Sequence, residues 1–373
     1  MLKRIKLVTV FLAILWLEVA GNAAEKVAEP EYFTVRRENY PCTMHVVKVP
    51  RKDRRWEIRS LHAEGRALGL ENLSAQIRRP KDVRAVAAVN GDYYVRQGFF
   101  GGDPRGLQIM GTELISAPTE GASFWIDALD QPNIGVTTAR FSVEWPNGST
   151  APFELNTAGT EDGVVLYTPG VGSQLVSRGG VELILEREGS SLWLPLRPGR
   201  VYSAKVREQR KGNIRLAADQ LVLSIGRRAG APKIEMGAIV KINTATEPSL
   251  RGVAEAISGG PILVRDGKRM PIKARNSDSY IFSSMTESHP RSAIGWNENY
   301  YFLVSADGRH GNISLGLTLE EFGAELLKIG CENALNLDGG GSATLWYQGK
   351  VVNYLCDGYE RKIANVLSIV EKN

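Results

Sequence analysis

The run Asn336-Leu337-Asp338-Gly339-Gly340-Gly341-Ser342 carries the sharpest chemical signal in the sequence. Three glycines between two apolar stretches allow positive φ and close approach of a ligand to the backbone. Successive exposed amides there could cradle an anion. Asp338 stands at the end of a strand-like run, where a carboxylate projects into a cleft. The same residues also read as a glycine-rich hairpin turn, with Asp338 bonding its own backbone. A nucleotide P-loop is excluded, because the Gly-Lys-Ser/Thr ending is missing.

Other charged residues sit beside Gly or Pro in the same way. Ser258-Gly259-Gly260-Pro261 precedes the apolar run ILVR, and His289-Pro290-Arg291 precedes SAIGW. Asp307-Gly308-Arg309 follows YYFLVSA, Asn90 ends VRAVAAVN, and Glu360-Arg361 lies near the C-terminus. Taken singly, the first three read equally well as turns or a surface cation, and the last as an exposed pair. Taken together, Asn90, Arg291, Asp307, Arg309, Asp338 and Glu360 combine carboxylates with arginines. Arginines hold phosphate through bidentate, charge-assisted bonds. A carboxylate attacks an anomeric carbon or activates water to do so. The set therefore suits a substrate that is both sugar and phosphate. No cofactor or zinc cluster is expected: His45, His62, His289 and His310 are scattered, and Cys42, Cys331 and Cys356 form no C-x-x-C; a divalent ion held by Asp307 and Asp338 stays open. Cys331 and Cys356 could pair, leaving Cys42 over.

The elements that position these residues read as mostly strands. Residues 43–62 alternate in the strand manner, and VRAVAAVN reads as a buried strand. A short helix is expected from Asn72 to Arg79, stopped by Pro80. Residues 140–250 hold short apolar runs at roughly ten-residue spacing, broken by Gly, Pro and Asn, which is the pattern of antiparallel β structure. The clearest helix starts at Thr318, where Thr-Leu-Glu-Glu forms a capping box with Glu321. Leu319, Phe322, Leu326 and Ile329 form its buried stripe, and Gly330 ends it. The fold class expected is α+β: a mixed, β-rich sheet core with few helices and an inserted antiparallel β subdomain at 140–250.

In these motifs the chain resembles the phosphodiester glycosidase family. The resemblance rests on VNGDYY (Val89–Tyr94), SGGPILVRDGK (Ser258–Lys268), HPRSAIG (His289–Gly295) and ADGRHG (Ala306–Gly311). It continues through GLTLEEFGAELLKIG (Gly316–Gly330), ALNLDGGGSATLW (Ala334–Trp346) and ERKIANVL (Glu360–Leu367), in the family's order over about residues 43–370. It implies an active site gathering Asn90, Arg291, Asp307, Arg309, Asp338 and Glu360. Gly260, Gly339, Gly340, Gly341 and Ser342 are implied at the substrate, with a role for Thr318 and Glu321 beside their capping. Arg291 and Arg309 would hold the phosphodiester, Asp338 would act at the anomeric carbon, and Glu360 or Asp307 would be the second carboxylate. Two positions depart from the family pattern. Asp92 stands where a small residue is more usual, and Ser292 where Thr is commoner.

The composition bounds the partners. The 373 residues carry 46 Lys+Arg and 41 Asp+Glu, a formal net charge of +5. Residues 1–23 hold Lys3, Arg4 and Lys6 against Glu18, so part of the excess belongs to this segment. What remains is too small to argue for nucleic acid. The basic MLKRIK, the apolar LVTVFLAILWL and a small-residue run fit a secretory signal peptide over residues 1–23. A leader over 24–42 and a catalytic domain over 43–373 follow, with no stable membrane span after cleavage. The expected protein is an exported hydrolase, secreted, periplasmic or at the cell surface, cleaving a sugar 1-phosphodiester of an envelope or extracellular glycan. Two alternatives remain open: an envelope protein that binds phosphorylated polysaccharide without turnover, and a phosphodiesterase attacking phosphorus.

Overall fold

The run Arg291–Trp296 is buried at every position, which requires cover on both faces of the sheet that contains it. The computed structural model of the chain supplies that cover. It describes residues 28–37, 40–65, 68–175, 180–272, 285–311 and 313–372. The expected signal peptide lies outside these residues. Arg291–Trp296 is the middle strand of a seven-stranded sheet, between Tyr300–Ala306 and Asn333–Asn336. The helix Leu319–Lys328 covers one face through Leu319, Phe322 and Leu326, which join Leu263, Val304 and Ala334 in one cluster. Full burial of a side chain such as Phe322 contributes about 1.5–3 kcal/mol.

The other face meets two further sheets. A five-stranded sheet places Asn365–Glu371 between Trp56–His62 and Arg84–Asn90, with Leu345–Tyr347 beyond. A twelve-stranded sheet is drawn from strands between Gln108 and Gly259. Val47 and Leu335 of the first sheet, Val89 and Leu367 of the second, and Phe124 and Ile257 of the third share one core. Leu337 is buried in that same core, so the next residue, Asp338, emerges where three sheets meet. The fold is a β-rich α+β arrangement with few helices. Most strands of 140–250 belong to the twelve-stranded sheet, which also takes in Gln108–Met110, Glu113–Ser116, Thr119–Ile126 and Glu255–Gly259, while Gln174–Leu175 and Ile214–Arg215 pair in a separate two-stranded sheet.

Three expectations are corrected. Residues 31–37, expected in a loose leader, form a strand antiparallel to Cys42–Pro50. Tyr32 anchors it by a hydrogen bond to His45 and by stacking on Tyr347. The helix expected from Asn72 to Arg79 is only Leu73–Gln76, capped by Asn72, because turn residues lead into Pro80 rather than further helix. Cys331 and Cys356 are free, as is Cys42. Cys331 instead packs so closely on Gly295 that a Cβ there would meet its sulfur at 2.6 Å.

Candidate active site

Asp338 leaves the sheet at the end of Asn333–Asn336 and enters a cleft of about 610 Å³. Its backbone is fixed from both sides. The Asp338 amide donates to Gly91 O at 2.9 Å, and Asn90 Nδ2 donates to Asp338 O at 2.6 Å. Asn90 Oδ1 in turn accepts from the Thr344 amide. Asn90 is thus a buried splint between strand and glycine turn and does not line the cleft. Gly260 serves a similar purpose. Its carbonyl accepts from Asn336 Nδ2 at 2.7 Å, and Asn336 also donates to the Tyr93 hydroxyl.

Each of the three glycines answers a distinct contact. A Cβ on Gly339 would lie 2.5 Å from Pro290 O, and one on Gly341 would occupy the place of Arg361 Nη2 and Asp357 Oδ2. Gly340 has φ +59 and faces the Arg309 guanidinium. The amides expected to cradle an anion are partly taken: Gly339 N donates to Asp338 Oδ1 at 2.9 Å and Gly340 N to Pro290 O. Anion binding therefore falls to side chains.

Those side chains are arginines. Arg96, Arg105, Arg291, Arg309 and Arg361 line the cleft, with Tyr93, Tyr94 and His289. Arg291 is 4% exposed and donates to Leu317 O at 2.8 Å and Glu287 O at 2.7 Å. Burial lowers its pKa to about 10, so it stays charged at neutral pH. Arg309 sits at φ +55, a strained conformation for a side-chain residue and one that concentrates at ligand clamps. Gly308 before it leaves room for Pro290, whose nitrogen would lie 2.6 Å from a Cβ. Arg309 Nη2 donates to His289 Nδ1 at 3.0 Å, and His289 Nε2 faces Glu287 Oε2 at 3.0 Å. Burial and the charge of Arg309 lower the His289 pKa, which suits a neutral ring accepting at Nδ1 and donating at Nε2. Arg361 pairs with Asp357 at 2.6 Å.

Asp338 supplies the one carboxylate on the cleft wall among the described residues. Burial raises its pKa, and the Ser342 hydroxyl, the Gly339 amide and the charges of Arg96 and Arg361 oppose that rise. Asp92 lies just behind the wall. Its Oδ1 accepts from the Tyr93 amide at 2.8 Å, while Oδ2 is buried without a hydrogen-bond partner among the described residues. Burial pushes the Asp92 pKa up to about 8, opposed by that amide and reinforced by Asp338.

The structure thus brings Arg291, Arg309, Asp338, Gly339, Gly340 and Gly341 to one cleft, with Asn90, Gly260 and Ser342 supporting it. It does not bring the other four expected residues there. Asp307 accepts from His45 Nε2 at 3.0 Å and from the Tyr354 amide at 2.9 Å, and anchors the strand Cys42–Pro50. The Glu360 carboxylate holds the start of the short helix through Ser74 N and Oγ. Thr318 and Glu321 complete each other's capping box, with Arg37 on Glu321. Capping and pairing consume these polar groups. Sequence reasoning missed Arg96, Arg105, His289, Tyr93 and Arg361. Of these, Tyr93, His289 and Arg361 carried a usable signal, because each lies in a motif already singled out. A hollow of about 820 Å³ on the large sheet has, among the described residues, a single acidic side chain, Glu235, and that is paired with Lys233. Among the described residues no three His, Cys, Asp or Glu side chains group as metal ligands, and no helix is long and apolar enough to cross a membrane.

Comparison with known proteins gives these findings. The sequence model of the phosphodiester glycosidase family matches residues 186–370. The chain is 32% identical over 120 residues to the SPbeta prophage-derived uncharacterized protein YomE of Bacillus subtilis (strain 168), covering 32% of this chain and 18% of that protein. A hypothetical protein from Synechocystis has the same fold, with a TM-score of 0.71 at 21% identity over 92% of this chain and 62% of that one. The chain therefore spans less than two thirds of either relative's length. The catalytic domain of zebrafish N-acetylglucosamine-1-phosphodiester alpha-N-acetylglucosaminidase aligns at a TM-score of 0.47 and 15% identity, over 91% of this chain and 82% of that one.

Proposed function

We propose that this chain, whose residues 186–370 match the phosphodiester glycosidase family, hydrolyses the anomeric C–O bond of a sugar 1-phosphodiester. The observation that carries the reading is one buried carboxylate, Asp338, in a cleft walled by arginines. Arg291 and Arg309 hold the phosphodiester, with the Arg309 fork aimed by His289. Asp338 brings negative charge to the anomeric carbon, by direct attack or by taking a proton from the attacking water. The C1–O bond breaks and its electron pair leaves with the phosphate oxygen. A phosphodiester is already a good leaving group, so protonation by a second carboxylate is less necessary than for an ordinary glycoside. That fits a wall with a single acid. Asn90 and the glycines hold the Asp338 backbone in place, and Asp307 and Glu360 act at a distance as anchors of neighbouring elements.

The reaction belongs outside the cytoplasm in this reading. Support comes from the basic and apolar segment of residues 1–23, and a glycan of the envelope or its surroundings is the substrate that such a location offers. The test is turnover of defined sugar 1-phosphodiesters by the purified chain in oxygen-18 water. Label in the released sugar is the expected result. Label in the phosphate means attack at phosphorus, and binding without turnover means a glycan-binding protein.

A further inference from the structure

Two guanidiniums in the cleft have no partner among the described residues: those of Arg96 and Arg105. Every other arginine on the wall is held in orientation by a protein partner. Arg291 holds two carbonyls, Arg309 holds His289, and Arg361 is paired with Asp357. Arg96 and Arg105 stand on one loop, between the strands Arg84–Asn90 and Gln108–Met110.

That loop is tied to itself and to the sheets. Val95 N donates to Asp103 O at 2.9 Å, Gly102 N to Val95 O at 2.8 Å, and Arg105 N to Tyr93 O at 2.8 Å. Phe100 stacks on Tyr167 of the large sheet with ring centroids 6.2 Å apart. Gly102 packs against the backbone of Gly69 with no room for a Cβ. Both arginines therefore spring from a held backbone. Arg96 is near enough to Asp338 to lower its carboxyl pKa, and Arg105 acts likewise on Asp92.

The charges do not close on a single phosphodiester. Even with Asp338 counted as a carboxylate, five arginines are offset only by it, by Asp357 through Arg361 and by Glu287 through His289, which leaves an excess of two positive charges. A phosphodiester carries one negative charge. One positive charge is left over, and the unpartnered guanidiniums of Arg96 and Arg105 are the groups free to offer it. A cleft with such an excess concentrates a polyanionic ligand, and the forked donors favour phosphate or carboxylate oxygens.

Resting on the phosphodiester glycosidase reading, we propose that Arg96 and Arg105 form a second anion subsite. It takes an acidic group, phosphate or carboxylate, carried by the same glycan substrate close to its anomeric end. The substrate class is then an acidic sugar 1-phosphodiester rather than a neutral one.

The experiment is calorimetric binding to the purified chain at fixed ionic strength, with three probes: glucose 1-phosphate, glucose 1,6-bisphosphate and glucuronic acid 1-phosphate. At least one doubly acidic probe binds about tenfold or more tightly than glucose 1-phosphate, as expected for an added charge-assisted contact. Preference for the bisphosphate alone identifies a phosphate as the second group, and preference for the glucuronate alone identifies a carboxylate. In the Arg96→Gln/Arg105→Gln double variant the doubly acidic probe loses about tenfold more affinity than glucose 1-phosphate does. Both side chains are exposed, and the single variants serve if the double one melts early. The proposal is overturned if wild type shows no preference, if no probe binds, if the preference survives the double substitution, or if all probes lose affinity equally. Binding is read without turnover, so the two readings separate. A preference without hydrolysis of any sugar 1-phosphodiester sinks the proposed reaction and leaves the subsite. Hydrolysis without preference does the opposite.

Discussion

Asn90 Nδ2 donates to the main-chain carbonyl of Asp338 at 2.6 Å and does not touch its carboxylate. Backbone position and side-chain charge at Asp338 are therefore separable by mutation. Asp338→Asn keeps the splint and removes the charge. Turnover of a sugar 1-phosphodiester should fall by about 10²-fold or more, the scale for loss of a positioned acid or base. Thermal unfolding should shift by no more than about 1 kcal/mol, since the hydrogen bond at stake is the one from the neighbouring Gly339 amide. Normal turnover in this variant would make Asp338 a turn residue.

Arg291→Lys behaves differently from a surface exchange. Lysine keeps the charge but cannot span Leu317 O and Glu287 O as the guanidinium does. Leu317 O keeps a second donor, the His289 amide, and Glu287 is exposed, so losing the guanidinium hydrogen bonds costs about 0.5–1.5 kcal/mol each and the melting temperature should drop modestly while kcat/KM falls. Melting curves and steady-state kinetics on the same preparation check both. A variant that keeps wild-type stability and rate means that this arginine neither braces the cleft nor binds phosphate.

Asp92 predicts the alkaline side of the pH profile. Its raised pKa, about 8, keeps it neutral at neutral pH. As pH rises through that value, it ionises beside Asp338 and adds repulsion toward an anionic substrate. Activity should fall through that range, and Asp92→Asn should flatten the decline. The linkage has the same sign: the folded state holds a proton that the unfolded chain releases above about pH 4. Stability from this group is full below that pH and is lost as pH rises toward about 8. Melting at pH 5 and pH 8 should differ less in Asp92→Asn than in wild type.

Gly341→Ala places a methyl where Arg361 and Asp357 cross. The ion pair must move away from the cleft wall, so the variant should raise KM while changing the melting temperature modestly. An unchanged KM would show that the pair yields freely and does not shape the site.

Glu360→Gln tests one of the two residues expected as a second carboxylate, which the fold places at the short helix. Glutamine oxygen still accepts from Ser74, so turnover should stay within about tenfold of wild type, short of the loss expected for an acid or base group. A loss of several orders of magnitude with an intact fold would return Glu360 to the chemistry.

What was legible depended on whether the signal was local. The capping box at Thr318 and Glu321 is a four-residue pattern, and the helix begins there. Asp338, its glycines, Arg291 and Arg309 were found because turn residues flank them. Their cleft placement was not separable from that of Asp307 and Glu360, because His45 and Ser74, which claim those carboxylates, are distant in sequence. Arg96 and Arg105 gave no sign, since an arginine in a glycine-rich loop reads as solvated surface until the loop is folded against the cleft. The strand Glu31–Arg37 was hidden by its charged residues, which an edge strand tolerates on its open side.

The position of Asn365–Glu371 inside the five-stranded sheet bears on the timing of activity. It pairs with Trp56–His62 on one side and Arg84–Asn90 on the other, and Asn365 Oδ1 receives the amide of Asp92. The residues that brace Asp338 are thus held by a strand that follows every other described strand in chain order. Such long-range pairing is slow to form, and a nascent or partly threaded chain has no strand with which to close the gap. Competence for catalysis is postponed until Asn365–Glu371 has emerged, so a chain folding as it is made exposes Asp338 before the strand that completes its site exists.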